Sequence, residues 1–354
     1  MKTHIKLHPL PDINPLRFVM YALMILMAVN YSCEEAFINK DPVNTPVNNF
    51  EITWNTLNEK YAYFTYKNIN WDSVYMAYRP KINDQMNDRE LFKVMADMLD
   101  ELHDGHVNLT SEFDHSRSWN WKHNSPENFD LSLLHNGRYL GNDYRITGPL
   151  LNTVIDSVGY IYYSSFINDI SSDNIDFLID QFSDLKGIII DIRNNGGGNT
   201  SNSDLLVSRF LDKTRIVQYE YFKTGPGHND FSNLQPITLS PAGEKQYKKP
   251  VVVIINRSSY SAATDFACKM SVIPNVTLIG DTTGGGGSSP INYELPNGWS
   301  FRFSSNGSTT PGGLNLENGM PPNIHQDMTT NDKMMGIDSI VEKAIRVITG
   351  NKRN

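Results

Sequence analysis

The chain has 354 residues, with 31 Lys and Arg against 39 Asp and Glu, a formal net charge of −8. That length provides core enough for one large or two modest domains, and a negative balance with no compensating basic run argues against a nucleic-acid partner. The two cysteines, Cys33 and Cys268, permit at most one disulfide.

At the N-terminus, Lys2, Lys6 and Arg17 precede an unbroken apolar run from Phe18 to Val29. The run is short for a bilayer span and suits the core of a secretory signal. Ser32 directly before Cys33 resembles the lipobox of bacterial lipoproteins, with Asn30 standing where an aliphatic residue is usual. The expectation is a lipoprotein signal peptide over residues 1–32 and lipidation of Cys33; cleavage after an ordinary signal and a retained anchor are the alternatives. Such a protein belongs to the cell envelope, in the outer membrane, on its periplasmic or surface-exposed face. Residues 33–49 read as a linker, because the Pro- and Asn-containing stretch from Asn39 has no apolar period.

From Phe50 to Leu102 the spacing is helical, with Phe50, Trp54, Leu57 and Tyr61 three and four residues apart. Asn87-Asp88 is a helix start, and Leu91, Phe92, Met95, Met98, Leu99 and Leu102 continue the pattern. Residues 50–110 are therefore a small helical N-terminal subdomain. It closes on Glu101-Leu102-His103-Asp104-Gly105-His106, which places His106 at a tight turn before an alternating Val107-Asn108-Leu109 strand. Two histidines and an aspartate within four positions suggest a metal, yet at that spacing they lack a credible further ligand to complete a site, so no metal and no cofactor is expected.

Residues 111–350 read as one α/β domain. Its first part, to about residue 150, is polar loop with short strands. Val158–Phe166 is a strand, Asn174–Phe182 a helix, Gly187–Ile192 a second buried strand, Arg193–Gly198 a glycine turn and Asn202–Leu211 a helix. Strand, helix, strand, turn, helix implies a largely parallel sheet. Three glycines can cradle phosphate, but neither G-x-G-x-x-G nor G-K-[ST] is present; the other uses are amides bared for an oxyanion, or simply a tight turn.

Val251–Ile255 is five consecutive β-branched residues, as in a strand buried on both faces, and Ala262–Met270 has helical composition. Ser258, Ser259 and Ser261 lie between them, where a serine either caps the helix or stands as a nucleophile beside free helix amides. Cys268, one helix face further on, reads as core. Ser288–Trp299 reads as a hairpin ending in the Pro296-Asn297-Gly298 turn.

GIIIDIRNNGGG, NRSSYSAATDF and IGDTTGGG, in that order, resemble the tail-specific (C-terminal processing) serine peptidases and their tricorn-core relatives. DELHDGHVNL before them and LENGMPPNI after them extend the resemblance over residues 50–345. The resemblance implies an α/β, crotonase-like peptidase core with a helical N-terminal part, here without the inserted PDZ domain of many relatives. It implies Ser261 as nucleophile, with an oxyanion hole from the amides of Ala262 and of Gly198 or its neighbour Gly197. The tail-specific branch places a lysine where this chain has Gly286, which points instead to the tricorn-like branch, with His106 as base and Glu317 as its partner. Asp104 is a rival for that orienting role, and the hydroxyl residue usual beside the histidine is Gly105 here. The expected activity is that of a membrane-anchored serine endopeptidase cleaving peptides or unfolded proteins through an acyl-enzyme; the alternative is an inactive or ligand-binding relative on the same fold.

Overall fold

The computed structural model describes Met20 and residues 42–350; Cys33 and the signal segment lie outside the described residues. Among the described residues no helix is long and apolar enough to cross a membrane. Residues from Thr45 onward form one compact unit, and the account below concerns that unit alone.

It opens with helices α1 (Pro46–Lys60), α2 (Phe64–Lys67), α3 (Trp71–Tyr78) and α4 (Asp88–Asp100). Helix α1 starts inside the stretch read as a linker. The Thr45 hydroxyl accepts from the Asn48 amide at 3.2 Å and Pro46 occupies the first turn, a start signal carried by two residues rather than by apolar period. Helix α4 begins where expected, with a capping box between Asn87 and Glu90.

The strands are β1 (Asn108–Thr110), β2 (Arg145–Thr147), β3 (Leu150–Ile155), β4 (Val158–Tyr162), β5 (Ile188–Asp191), β6 (Arg215–Phe222), β7 (Gln235–Leu239), β8 (Val251–Ile255), β9 (Val276–Gly280), β10 (Pro290–Glu294), β11 (Ser300–Ser304), β12 (Asn306–Thr309) and β13 (Ile324–His325). Seven form the central sheet, in the order β13-β9-β8-β5-β4-β3-β2. Pairing is parallel from β13 to β4 and antiparallel at β3 and β2, which is the α/β core expected.

Alternation along the parallel strands supplies two cores. Ile188, Ile190, Val251, Val253 and Ile255 face helices α6 (Ser172–Gln181), α7 (Thr200–Val207) and α8 (Ala262–Ser271), which follow the short helix α5 (Leu131–Leu134). Ile189, Val252, Ile254 and Ile279 face the other way, against helix α10 (Ser339–Thr349), which follows the short α9 (Thr330–Met334). Each such buried Ile or Val contributes about 1.5–3 kcal/mol relative to exposure.

The boundary expected near residue 110 does not exist in the packing. Phe50, Leu57, Trp71, Met95 and Leu99 share one core with Leu295, Trp299, Phe301 and Phe303. Strand β1 leaves the helices to pair with β11, whose other neighbour is β10. Strands β10 and β11 form a hairpin about the Pro296-Asn297-Gly298 turn at which the hairpin read from the sequence ends, and β11 has an apolar face because Phe301 and Phe303 pack against the N-terminal helices.

Candidate active site

Parallel strands β5 and β8 are neighbours, so the turns leaving their carboxyl ends meet at one edge of the sheet. Several bonds join the two turns: Tyr260 N–H to Asn195 O at 3.0 Å, Asn194 N–H to Asn256 Oδ1 at 3.1 Å, and Ser259 Oγ–H to Ile192 O at 2.8 Å. Beneath them, Arg193 pairs with Asp191 at 2.6 Å and Asp338 at 2.8 Å with all three side chains buried, and Tyr160 OH donates to Asp191 at 2.7 Å. A serine and a glycine turn are thus held on a rigid base rather than on free loops.

Ser261 stands at the N-terminus of α8 but does not cap it; its side chain makes no bond to the helix amides. Its backbone sits at φ 57° and ψ −119°, a conformation costly for a residue with a Cβ. Its N–H donates to Gly285 O at 2.8 Å, and its own carbonyl accepts from Asp265 N–H at 3.0 Å, which hold it there. The strained turn aims Oγ at the Nε2 of His106, 3.0 Å away.

His106 is buried, edge-on to the Tyr260 ring at 5.0 Å between centroids. Burial, with further opposition from Arg302, Arg117 and Lys67, holds its imidazole down to about 4, against the pull of Asp104. At neutral pH the ring is therefore neutral and available as a base. Asp104 Oδ1 accepts the His106 N–H at 2.8 Å and fixes the turn. A hydroxyl chain reaches the ring itself: His106 Nδ1 faces Ser288 Oγ at 3.4 Å, Ser288 donates to Ser304 Oγ at 2.7 Å, and Ser304 donates to Asp104 Oδ2 at 2.9 Å. That polarity suits the tautomer with the proton on Nδ1 and a lone pair on Nε2 facing the serine. Asp104 stays below the usual carboxyl range even though burial opposes ionisation, because Lys67 and His106 lie close and Ser304 and the His106 amide donate to it.

Glu317, the partner implied by the resemblance, is brought to the neighbourhood but makes no hydrogen bond to His106. Its Oε1 pairs with Lys67 Nζ at 2.7 Å, while its buried Oε2 has no partner among the described residues. The ammonium at the end of α2, anchored on the carbonyls of Leu102 and His103, claims the carboxylate instead. Burial, then the charge of Asp104, pushes Glu317 up to about 8 against the pull of Lys67.

Of the two glycines weighed for the oxyanion hole, Gly197 has its N–H committed to Asn195 Oδ1 at 2.9 Å. The N–H groups of Gly198 and Ala262 have no acceptor among the described residues. Gly198 and Ser261 line one cavity of about 510 Å³, together with His106. Ser288 and Ser304 were invisible to sequence reasoning, since a serine in a glycine-rich loop and one on a strand carry no local signal of either role. Cys268 is buried and its thiol is pushed up to about 12, chiefly by burial. No group of three or more His, Cys, Asp or Glu side chains among the described residues is arranged to hold a metal ion.

Residues 157–326 match Peptidase family S41, and residues 42–100 match the Tricorn protease C1 domain. The carboxy-terminal processing protease CtpA of Bacillus subtilis is 26% identical over 188 residues, which are 52% of this chain and 38% of that protein. The chain spans about a third of the length of the curated relatives it matches. A crystal structure of a putative peptidase from Parabacteroides merdae superposes with a TM-score of 0.82 at 41% identity, covering 86% of this chain and 97% of that one. Mature CPAF complexed with lactacystin shares the fold at a TM-score of 0.66 and 13% identity, covering 87% of this chain and 99% of that one.

Proposed function

Because the chain belongs to peptidase family S41, a family of serine-type hydrolases, we propose that it is a serine endopeptidase acting on peptides or unfolded proteins through an acyl-Ser261 intermediate. The observation that carries this reading is the 3.0 Å approach of His106 Nε2 to the strained, uncapped Ser261 Oγ. In the first step the Oγ proton passes to His106 Nε2 as Oγ bonds to the scissile carbonyl carbon. The oxygen that gains charge faces the amides of Gly198 and Ala262, donors already oriented at no further cost. His106 then returns the proton to the leaving amine, and the same ring activates the water that hydrolyses the ester. In this arrangement Asp104 steadies the imidazolium through Ser304 and Ser288, while Lys67 and Glu317 fix the wall behind it.

Lipidation at Cys33 would hold the enzyme to a membrane of the cell envelope; the support is the Phe18–Val29 run and the Ser32-Cys33 junction. Loss of fatty-acid labelling in Cys33→Ala is the expected result, and labelling that persists removes the anchor from the proposal.

The test of the chemistry is intact-protein mass spectrometry of the chain starting after Cys33, treated with a fluorophosphonate. One adduct on the wild type and none on Ser261→Ala is expected. The absence of any adduct on a folded wild type would overturn the peptidase reading and favour a ligand-binding relative.

A further inference from the structure

Ser261 and Ala262 also line a second cavity, of about 230 Å³, and Ser261 is the single residue that it shares with the cleft holding His106. Its walls are Asp204 on α7, Gln218 and Glu220 on β6, Ile237 on β7, and Asp265 and Lys269 on α8. Asp265 stands one turn after the serine, with its N–H on the Ser261 carbonyl at 3.0 Å. Charge does not balance here. Lys269 Nζ pairs with Asp204 at 2.5 Å and with Asp265 at 2.8 Å, and Ser203 donates to Asp265 at 2.8 Å. Glu220, half-buried, has only the Gln218 Nε2, 3.4 Å from its Oε1, and no ion-pair partner among the described residues. Burial, then the charge of Asp265, holds its carboxyl above the ordinary value, with Lys269 pulling the other way. Ser308, opposite Glu220 in the β12–β6 register, donates to the Gly287 carbonyl instead. Gln218 is 4% exposed, and its Oε1 has no partner among the described residues. That oxygen is closed to any ligand, and it shows that the wall itself is short of donors. A cavity with one ammonium for three carboxylates suits a ligand that brings donors and positive charge. The acids do not converge as metal ligands among the described residues, and Lys269 already bridges two of them. The fitting cation is one carried on an apolar stem, for which Ile237 is a wall.

We propose that this cavity receives the side chain of a Lys or Arg immediately flanking the scissile bond, with its cation resting on Glu220. Ser261 sets the position. The residue whose carbonyl carbon Oγ attacks, and its neighbour across the bond, are the two whose side chains begin beside a cavity that touches the nucleophile. A volume of about 230 Å³ equals roughly eight waters at about 30 Å³ each, room for one long side chain. Glu220 is already partly desolvated in the free protein, so a cation laid on it gains more than it would at an open surface. An Asp or Glu at the same position meets like charge and is rejected. The formal net charge of −8 favours the approach of basic peptides before any contact forms.

This inference rests on the peptidase reading, and the experiment separates the two. A synthetic peptide library of mixed sequence with blocked N-termini is prepared once with lysine and once with Nε-acetyl-lysine, which keeps the stem and removes the charge. Both are digested, the cut sites and their rates are read by mass spectrometry, and fluorophosphonate labelling of Ser261 is measured in parallel. Cleavage beside lysine is expected to be about tenfold faster than beside its acetylated form, with arginine sites cut equally in both libraries. Glu220→Gln should bring that ratio close to one, and Glu220→Asp should keep part of it. Glu220→Lys should turn the preference toward Glu over Gln at the same position, a gain that a misfolded variant does not produce. Each ratio is taken within one variant, so a loss of folded protein does not imitate the effect. A lysine preference that survives in Glu220→Gln overturns the assignment to this cavity. Labelling of Ser261 with both forms cut alike, or neither cut, overturns the inference and leaves the activated serine standing. Failure to label overturns both.

Discussion

Tyr260 accounts for both departures from the patterns of related peptidases. A Cβ on Gly105 would lie 2.8 Å from the Tyr260 hydroxyl and 2.6 Å from the Trp121 indole nitrogen, and a Cβ on Gly286 would lie 2.6 Å from the Tyr260 ring. The ring, stacked on Trp121 at 4.4 Å, fills the space that a hydroxyl residue beside the histidine, or a lysine from the glycine loop, would need. Gly286→Lys is accordingly expected to displace Tyr260 and to reduce activity by several powers of ten rather than build a second base; undiminished turnover would contradict this, with Tm reporting the fold. On the proposed mechanism, His106 as base has its own signature. Asp104 favours its protonation, while burial, Arg302, Arg117 and Lys67 oppose it, and the Tyr260 hydroxyl and Ser288 facing it are neutral. A base must be unprotonated, so kcat/KM for a neutral peptide should fall only as pH drops through about 4. Arg302→Gln removes one opposing charge and moves that limb upward, toward the ordinary imidazole value of about 6.5. A wild-type limb already at the ordinary value would show that His106 does not work from this buried position.

At the scale of elements, legibility followed the kind of pairing involved. Strands β5 and β8 were legible because a strand covered on both faces is an unbroken apolar run, and the turns after them because glycines and serines punctuate it. Strand β6 was not singled out. Its eight residues mix buried and half-exposed positions around a bulge between Ile216 and Gln218, which blurs a period of two. Helix α7 stops at Val207, short of the expected Leu211, with its last apolar positions going to a turn. Ser261, His106 and the free amides of Gly198 and Ala262 lie within such legible turns, whereas the Lys67–Glu317 pair is created only when α2 packs against the loop before β13. Removing that lysine has a cost with a definite pH dependence. Glu317 takes up a proton more readily in the folded chain than in the unfolded one, so its ionisation costs stability as pH rises from the ordinary carboxyl range through about 8. Lys67→Met leaves Glu317 and Asp104 buried without that cation, and should cost about 3 kcal/mol near pH 8 and clearly less near pH 5, where Glu317 is protonated. Denaturant unfolding at the two pH values checks it; an equal loss at both would mean that the lysine acts through packing alone.

Across the whole molecule, the site is assembled from chain segments that the sequence pattern divides in two. His106 and Asp104 belong to the end of the helical part, and Ser261, Ser288 and Ser304 to the α/β part. What brings them together is the shared core of the α1–α4 helices with Leu295, Trp299, Phe301 and Phe303, and the pairing of β1 with β11. A helical pattern followed by a βαβ pattern suggests separable domains, because periodicity reports how each segment buries its own face and not which distant segment it buries it against. The structure makes a different prediction. A chain covering residues 111–354 would expose the apolar face of β11, leave an edge of that strand unpaired and take His106 away from Ser261. It should show no cooperative transition for that region and bind a dye for exposed apolar surface, whereas residues 45–354 should unfold in a single calorimetric step. Trp299→Ala probes the same interface within the intact chain. The side chain is 2% exposed and meets Phe92 edge-on at 5.5 Å, so its loss should cost about 3–5 kcal/mol. Because β11 also carries Arg302 and Ser304, that loss should reduce hydrolysis at temperatures where the protein is still folded. Two separate melting transitions in the longer chain, or a Trp299→Ala variant with reduced stability and full activity, would show that the helical part does not hold the base in place.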